Sequence, residues 1–597
     1  MRDEYFDNHR KKRCGEGGLT LIETLIGSAL FGIIATAIYF SFANILDITT
    51  NTKLIESATG AIQSRIEVIR NMPYQDIGID GGWPAGKLPV ATTTVYDGTP
   101  FQLSFTVRNI DDPFDGTLGG TPNDTAPADY KLIEIVAGCP LCKHFIPVIL
   151  TARVAPKGLE NASTNGTLFV NVFDADGSPV SGANVMVTNG STTPTIFIND
   201  TTNMNGVLQL VDIPTSTSNY QIFVSKTGFS SDKTYPPGTV ANPTPIRPHA
   251  TVAQAQVTQV SFAIDALSAM LIQSADEFCA PVSNVAFTEV GTKLIGTSPD
   301  VLKYSTSSTT GGGGIVTRNL EWDTYTFTPS NAVYDLAGYT SPLVLALDPA
   351  QSYTTHWTVV PKSSSALLIS VSDASSSLPL GSATTTLTKT GFSSSATTGR
   401  RTVIQNTWSG SGNSGFDSLS TGVDTSGGEL KLLVNASGTY TTGIEEWLIS
   451  NTFDFGTSTT SFFMIETSPQ NQPTSTGADS LRFQVAANND GATWNFVGPD
   501  GTSGTYFSSD DSLAYFNGRR YMRYKVFLKT ADETVTPSLD SVTITFGSNC
   551  FPGSQAFFNG LSSGSYTLTI ERSGYQTTST LISIGSGWQE QKIFLSP

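Results

Sequence analysis

Charge is scarce in this chain: only 14% of its 597 residues are charged, histidine occurs four times and cysteine five times. No Ser-His-Asp, zinc-protease or phosphate-loop motif can be picked out, so no catalytic residue, metal site or cofactor is expected. Paired carboxylates for a hydrolase stay open, because acidic residues are too numerous to exclude by eye. Basic residues are few as well, 33 Lys and Arg against 50 Asp and Glu, giving a formal charge of −17. A surface of that sign repels a phosphate backbone, and direct binding of nucleic acid is not expected. Long apolar runs are missing beyond the N-terminus, where hydrophobic residues instead come in short alternating stretches rich in Gly, Ser and Thr neighbours. The bulk therefore reads as β structure, and at roughly 150 residues per domain the length suggests about four units.

What is present begins at the N-terminus. Residues 10–13 read Arg-Lys-Lys-Arg, and from Leu19 to Leu46 the sole charged residue is Glu23. A helix of that length crosses a hydrocarbon core, and the basic cluster keeps its N-terminal end in the cytoplasm. A secretory signal would place small residues after the apolar segment, whereas Gly17 and Gly18 precede it. No proline interrupts the chain from Leu19 to Pro73, and Leu54, Ile55, Ala58, Ala61, Ile62, Ile66 and Ile69 recur at helical spacing. The helix is expected to run to about Arg70, with its outer half packed on a globular head.

The run Gly18-Leu19-Thr20-Leu21-Ile22-Glu23 resembles the type IV prepilin motif. The resemblance covers about the first 50 residues. It implies peptidase cleavage after Gly18, methylation of the new N-terminus at Leu19, and pairing of Glu23 with the N-terminal amine of a neighbouring subunit. A carboxylate inside a bilayer costs about 3 kcal/mol on insertion scales, which such a pair would relieve. Leu19 stands where phenylalanine is commoner in the family. Many major pilins also kink this helix with a proline where Phe40 stands here, a departure that favours a minor pilin or a pseudopilin.

Beyond Pro73, Tyr96–Asn109, Asp129–Val136 and Phe145–Val154 alternate as strands of a small head sheet. Cys139-Pro140-Leu141-Cys142 joins the last two, and an exported chain suits a local disulfide there. With His144 nearby, half a zinc site or a redox motif is the alternative, but no second Cys-x-x-Cys exists. Past residue 157 the chain repeats: LFVNVFDADGSPVSGA from Leu168 resembles LLISVSDASSSLPLGSA from Leu367, and Pro281-Val282 marks a looser middle copy. Asp174-Ala175-Asp176-Gly177 looks like a calcium-loop fragment but lacks the later ligands and fits a turn. The modules resemble carboxypeptidase-regulatory-like and CnaB-like β-sandwiches, with Asp174, Gly177, Pro179, Gly182 and Ala183 matching best. The later half of the last copy, with Gly553, Tyr566, Gly574 and Tyr575, resumes only after residue 548, so a domain is inserted. Its strands include Phe462–Glu466, Leu481–Ala486 and Tyr521–Leu528, and Trp408, Trp447 and Trp494 fit a jelly-roll, a fold often used to bind carbohydrate.

The expected fold is mainly β behind a long N-terminal transmembrane helix. Its parts are a leader (1–18), the helix (19–71), a pilin-like α+β head (72–157), sandwiches at 158–262 and 263–365, a third split between 366–398 and 549–597, and a jelly-roll-like insert (399–548). The expected function is a filament subunit, a minor pilin at the cell surface rather than an enzyme. Its partners would be the prepilin peptidase, other pilin subunits, the membrane, and surface carbohydrate or a partner cell met by Trp408, Trp447 or Trp494. Alternatives are a pseudopilin of a secretion or DNA-uptake machine and a membrane-tethered carbohydrate-active enzyme. The pairing of Cys279 and Cys550 is left open.

Overall fold

The computed structural model describes residues 21–157, 162–330, 332–408, 415–508 and 511–597, without the side chain of Glu23. One long helix is followed almost wholly by strands, so the chain is mainly β with an N-terminal helix. It resolves into two compact units: residues 1–226, 231–238 and 247–264 in one, and 227–230, 239–246 and 265–597 in the other.

In the first unit the helix Leu21–Arg70 covers 50 residues, about 75 Å at 1.5 Å per residue. Ala58, Ala61, Ile62, Ile66 and Ile69 form one stripe on its C-terminal half, buried against a four-stranded antiparallel sheet. The sheet offers Phe101, Leu103, Phe105 and Val107 from one strand and Ile133, Ile135 and Ala137 from the next. Helical spacing on one side and period-two alternation on the other thus build a single core. Gly60 admits the Tyr96 ring, which lies 2.8 Å from where a Cβ would stand.

The sequence suggests one strand from Tyr96 onward, but the sheet has two there. Ala91–Tyr96 pairs with Thr99–Ile110 across Asp97-Gly98, both left-handed at φ 49° and 75°. Asp-Gly is a preferred two-residue hairpin turn, but the strand before it is mostly Ala and Thr and has no apolar alternation to announce it. The remaining strands are Tyr130–Gly138 and Val148–Val154.

The same unit holds the first sandwich. Gly166–Phe173 lies between Val257–Ala263 and Val207–Ile213, facing a second sheet built on Asn184–Asn189 and Ser216–Ser225. Leu168, Val170, Val185, Val187, Tyr220, Ile222 and Val224 fill the space between them. An Arg108–Asp200 ion pair ties the head sheet to this sandwich.

The second unit contains two further sandwiches and a domain set into the last of them. In the middle sandwich Ser268–Ala275 sits beside Ser352–Pro361, and Met270, Phe287, Tyr325 and Trp357 share the core. The last is assembled from distant parts, since Thr384–Lys389 pairs with Gly564–Glu571 and Ser365–Asp373 with Gly587–Leu595. Between these halves, residues 401–547 form their own sheets around Trp408, Phe455, Phe462, Phe483, Tyr524 and Phe546. The first and last strands of this insert, Arg401–Gln405 and Ser541–Gly547, are antiparallel neighbours, so its two ends emerge side by side.

All three sandwiches turn alike after their first strand. Phe173 bridges Pro179, Ala275 bridges Pro281 and Ser372 bridges Pro379. In each turn an aspartate carboxylate accepts two backbone N–H groups: Asp174 from Asp176 and Ser178, Asp276 from Phe278 and Ala280, Asp373 from Ser375 and Ser376. That is the local side-chain capping that makes aspartate a turn residue.

Candidate functional site: the apolar helix and an aromatic face

Gly18 and Leu19 lie outside the described residues, and Glu23 falls on the helix backbone near its start. The helix around it is open. Leu21 is 83% exposed and Phe31 74%, and Ile33, Ile38, Tyr39, Phe42 and Ile48 are exposed in the same way. Among the described residues this is the one helix long and apolar enough to cross a membrane, with a mean hydropathy of 1.9 in its most apolar window. Apolar surface of this extent needs cover from outside the chain.

Cys139 and Cys142 are joined in a disulfide with Cα atoms 5.3 Å apart, at the edge of the head core. Among the described residues no group of three or more His, Cys, Asp or Glu is placed to hold a metal ion. The head does gather carboxylates in the loop after Ile110. Burial pushes the Asp111 carboxyl up to about 6, the Leu118 N–H donating to it opposes the shift, and Asp129, Asp124 and Asp115 add to it. Asp129 is raised as well, by burial first, with the Asp112 N–H donating to it in opposition and Asp115, Asp124 and Asp112 adding to the shift.

The three tryptophans part company. Trp408 is 1% exposed within the insert core, so it cannot stack on a ligand, and the expectation for that residue is corrected. Its ring fills the space between two sheets, where a large apolar side chain gains most from burial. Trp447 and Trp494 are half-buried on the outside of the other sheet. There Tyr521–Leu528 alternates, sending Met522, Tyr524, Val526 and Leu528 inward and Tyr521, Arg523, Lys525 and Phe527 outward.

On that outer side cations and rings interleave. The Lys525 ammonium lies 4.5 Å from the Trp447 ring, the Arg523 guanidinium 4.5 Å from Trp494, and the Arg482 guanidinium 3.7 Å from Tyr506. Asp417 pairs with Arg523 and Glu445 with Arg482. Burial lowers the Lys525 pKa, partly countered by Glu445. Such a face can stack on flat apolar rings and meet anionic groups between them. Alternation in residues 521–528 is legible in the sequence, and Trp447 and Trp494 are among the aromatics it singles out, but Arg482 and Tyr506 arrive from elsewhere in the insert and carry no signal of their own.

No family model matches the sequence, and no curated protein matches it. Solved structures overlap with it only loosely. The Bacillus anthracis TIE protein is 10% identical, covering 83% of this chain and 70% of its own, at a TM-score of 0.15. Shaft pilin spaA from Lactobacillus rhamnosus GG is 15% identical over 33% of this chain and 98% of its own, at 0.15. A streptococcal ancillary pilin is 9% identical over 44% and 82%, at 0.16. Overlaps this weak carry no argument about function.

Proposed function

We propose that the chain is a subunit of a type IV pilus-type filament, a low-copy minor pilin that is cut after Gly18, methylated at Leu19 and assembled through Glu23. The observation that supports this most is the division of one helix. Its C-terminal half is buried on the head of the same chain, while its N-terminal half keeps apolar side chains exposed all round. A filament of such subunits, or the bilayer before assembly, supplies the missing cover. The outer modules then project from the filament, and the Trp447–Trp494 face of the insert is the surface offered to carbohydrate or to a partner cell.

Mass spectrometry of the intact N-terminal peptide tests the first part, with a methylated Leu19 as the expected start. A start beyond residue 40 removes the apolar helix and overturns the reading. Immunogold labelling of sheared filaments tests the second, and label confined to cell membranes contradicts the filament role.

A further inference from the structure

Each sandwich begins and ends on neighbouring strands that run in the same direction. Gly166–Phe173 pairs in parallel with Val257–Ala263, Ser268–Ala275 with Ser352–Pro361, and Ser365–Asp373 with Gly587–Leu595. Tension along the chain draws a first strand toward its N-terminus and a last strand toward its C-terminus. For parallel neighbours those directions slide one strand along the other, so the evenly spaced ladder bonds are strained together. Strands drawn apart from one end would instead release their bonds in turn.

The middle sandwich adds a covalent device at its first turn. The left-handed position of that turn holds Gly177 (φ 83°) in the first module, Cys279 (φ 61°) in the second and Ser377 (φ 59°) in the third. A residue with a Cβ is disfavoured there, so Cys279 is kept against its backbone preference. It is bonded to Cys550, with Cα atoms 5.2 Å apart across 271 positions of sequence. Its neighbour Phe278 enters the insert, stacking on Phe546 at 5.7 Å and meeting Phe455 at 6.4 Å. The Phe278 carbonyl oxygen lies 1.5 Å from where a Cβ on Gly456 would stand, so only glycine fits at 456. Glu277 pairs with Arg401, a buried cation at the root of the insert, at 3.1 Å. Bond, ring stack and ion pair all fasten one turn of the middle sandwich to the root of the inserted domain.

We propose that the exported part of this chain bears tension, with the parallel strand pair of the first sandwich as a clamp and the Cys279–Cys550 bond as a bypass that takes Ser352–Pro361 and Ser365–Asp373 out of the load path. A pull arriving at Ser268–Ala275 crosses the bond to Cys550 and passes on toward Gly587–Leu595, without entering the insert, whose last strand Ser541–Gly547 ends just before Cys550. Residues 280–549 lie inside the covalent loop, and a pull from outside it cannot draw them out. Fully extended, that stretch would span roughly 900 Å. The middle sandwich after its first strand, the first half of the last sandwich and the insert are thereby held out of the load path, whatever anchors the N-terminal helix.

Single-molecule force spectroscopy on the full chain in detergent micelles, held at its two ends, tests this. The oxidised protein is expected to lack the length of residues 280–549 at any force, and reductant added after tethering is expected to restore it. Cys279→Ser should behave as the reduced wild type. A second pulling axis, through handles at the exposed residues 164 and 256, opens the first sandwich from one end of its parallel pair. Its unfolding force there is expected to be several-fold lower than with the chain held by its ends. Full length released without reductant overturns the bypass, and equal forces along the two axes overturn the clamp.

Discussion

Along the helix Leu21–Arg70, large apolar side chains up to Ile48 stand in the open, whereas Ala58, Ala61, Ile62, Ile66 and Ile69 are 0–9% exposed beneath the head sheet. The two halves use similar residues to different ends. In the second half the apolar positions form one stripe and the chain itself covers it. In the first half they lie on every side, and among the described residues no other part of the chain covers them. The difference separates folding from assembly: substitutions in the second half should act on head stability, and those in the first on insertion and filament formation.

The sharpest break of that comparison is Ile62→Ala. Its side chain is fully buried, and truncation should cost about 2–5 kcal/mol of head stability, read as a lower denaturation midpoint with membrane insertion unchanged. In the exposed half, Ile33→Arg should leave head stability within error but oppose insertion by about 2.5–3.5 kcal/mol. A membrane-fractionation assay checks it, and undiminished insertion would show that this half is not in the bilayer. Glu23→Ala sharpens the line further, since it removes a charge from the apolar segment. Insertion should persist while incorporation into sheared filaments falls, measured by quantitative immunoblot.

The smallest effect concerns the head alone. Because the Asp111 carboxyl is held up at about 6 in the fold, its contribution is fully present below its unfolded value near 4 and is lost as pH rises through 6. Asp111→Asn should therefore raise head stability at pH 7.5 and change it little at pH 4. The partial exposure of the group limits the gain to about 1 kcal/mol after solvent screening. Thermal unfolding at the two pH values checks it, and an equal shift at both would assign the change to packing.

Sequence patterns captured elements whose determinants are local. The helix ends at Arg70 because the apolar stripe stops there and Pro73 follows, and Tyr521–Leu528 has the bounds its alternation suggests. The Asp97-Gly98 hairpin is hidden because its first strand, Ala91–Tyr96, is mostly Ala and Thr and mostly exposed, with no apolar face to mark it. Tertiary features were less legible. Nothing near Cys279 or Cys550 announces a partner 271 positions away, and no tryptophan reveals by its neighbours whether it will be core, as Trp408 is, or part of an outer face, as Trp447 is. Composition gives the fold class, whereas the make-up of an outer face depends on which strands meet.

The adjacency of Arg401 and Phe546 makes the host sandwich a socket. Its strands close on either side of the inserted domain, and Cys550 lies just beyond the last insert strand. A different domain with the same footprint could occupy that place while Cys279 and Cys550 still meet, provided it offered a ring for Phe278 and space for its carbonyl. The inserted domain is thus a replaceable cartridge, and exchange among related chains could alter what is displayed without redesigning the body that carries it.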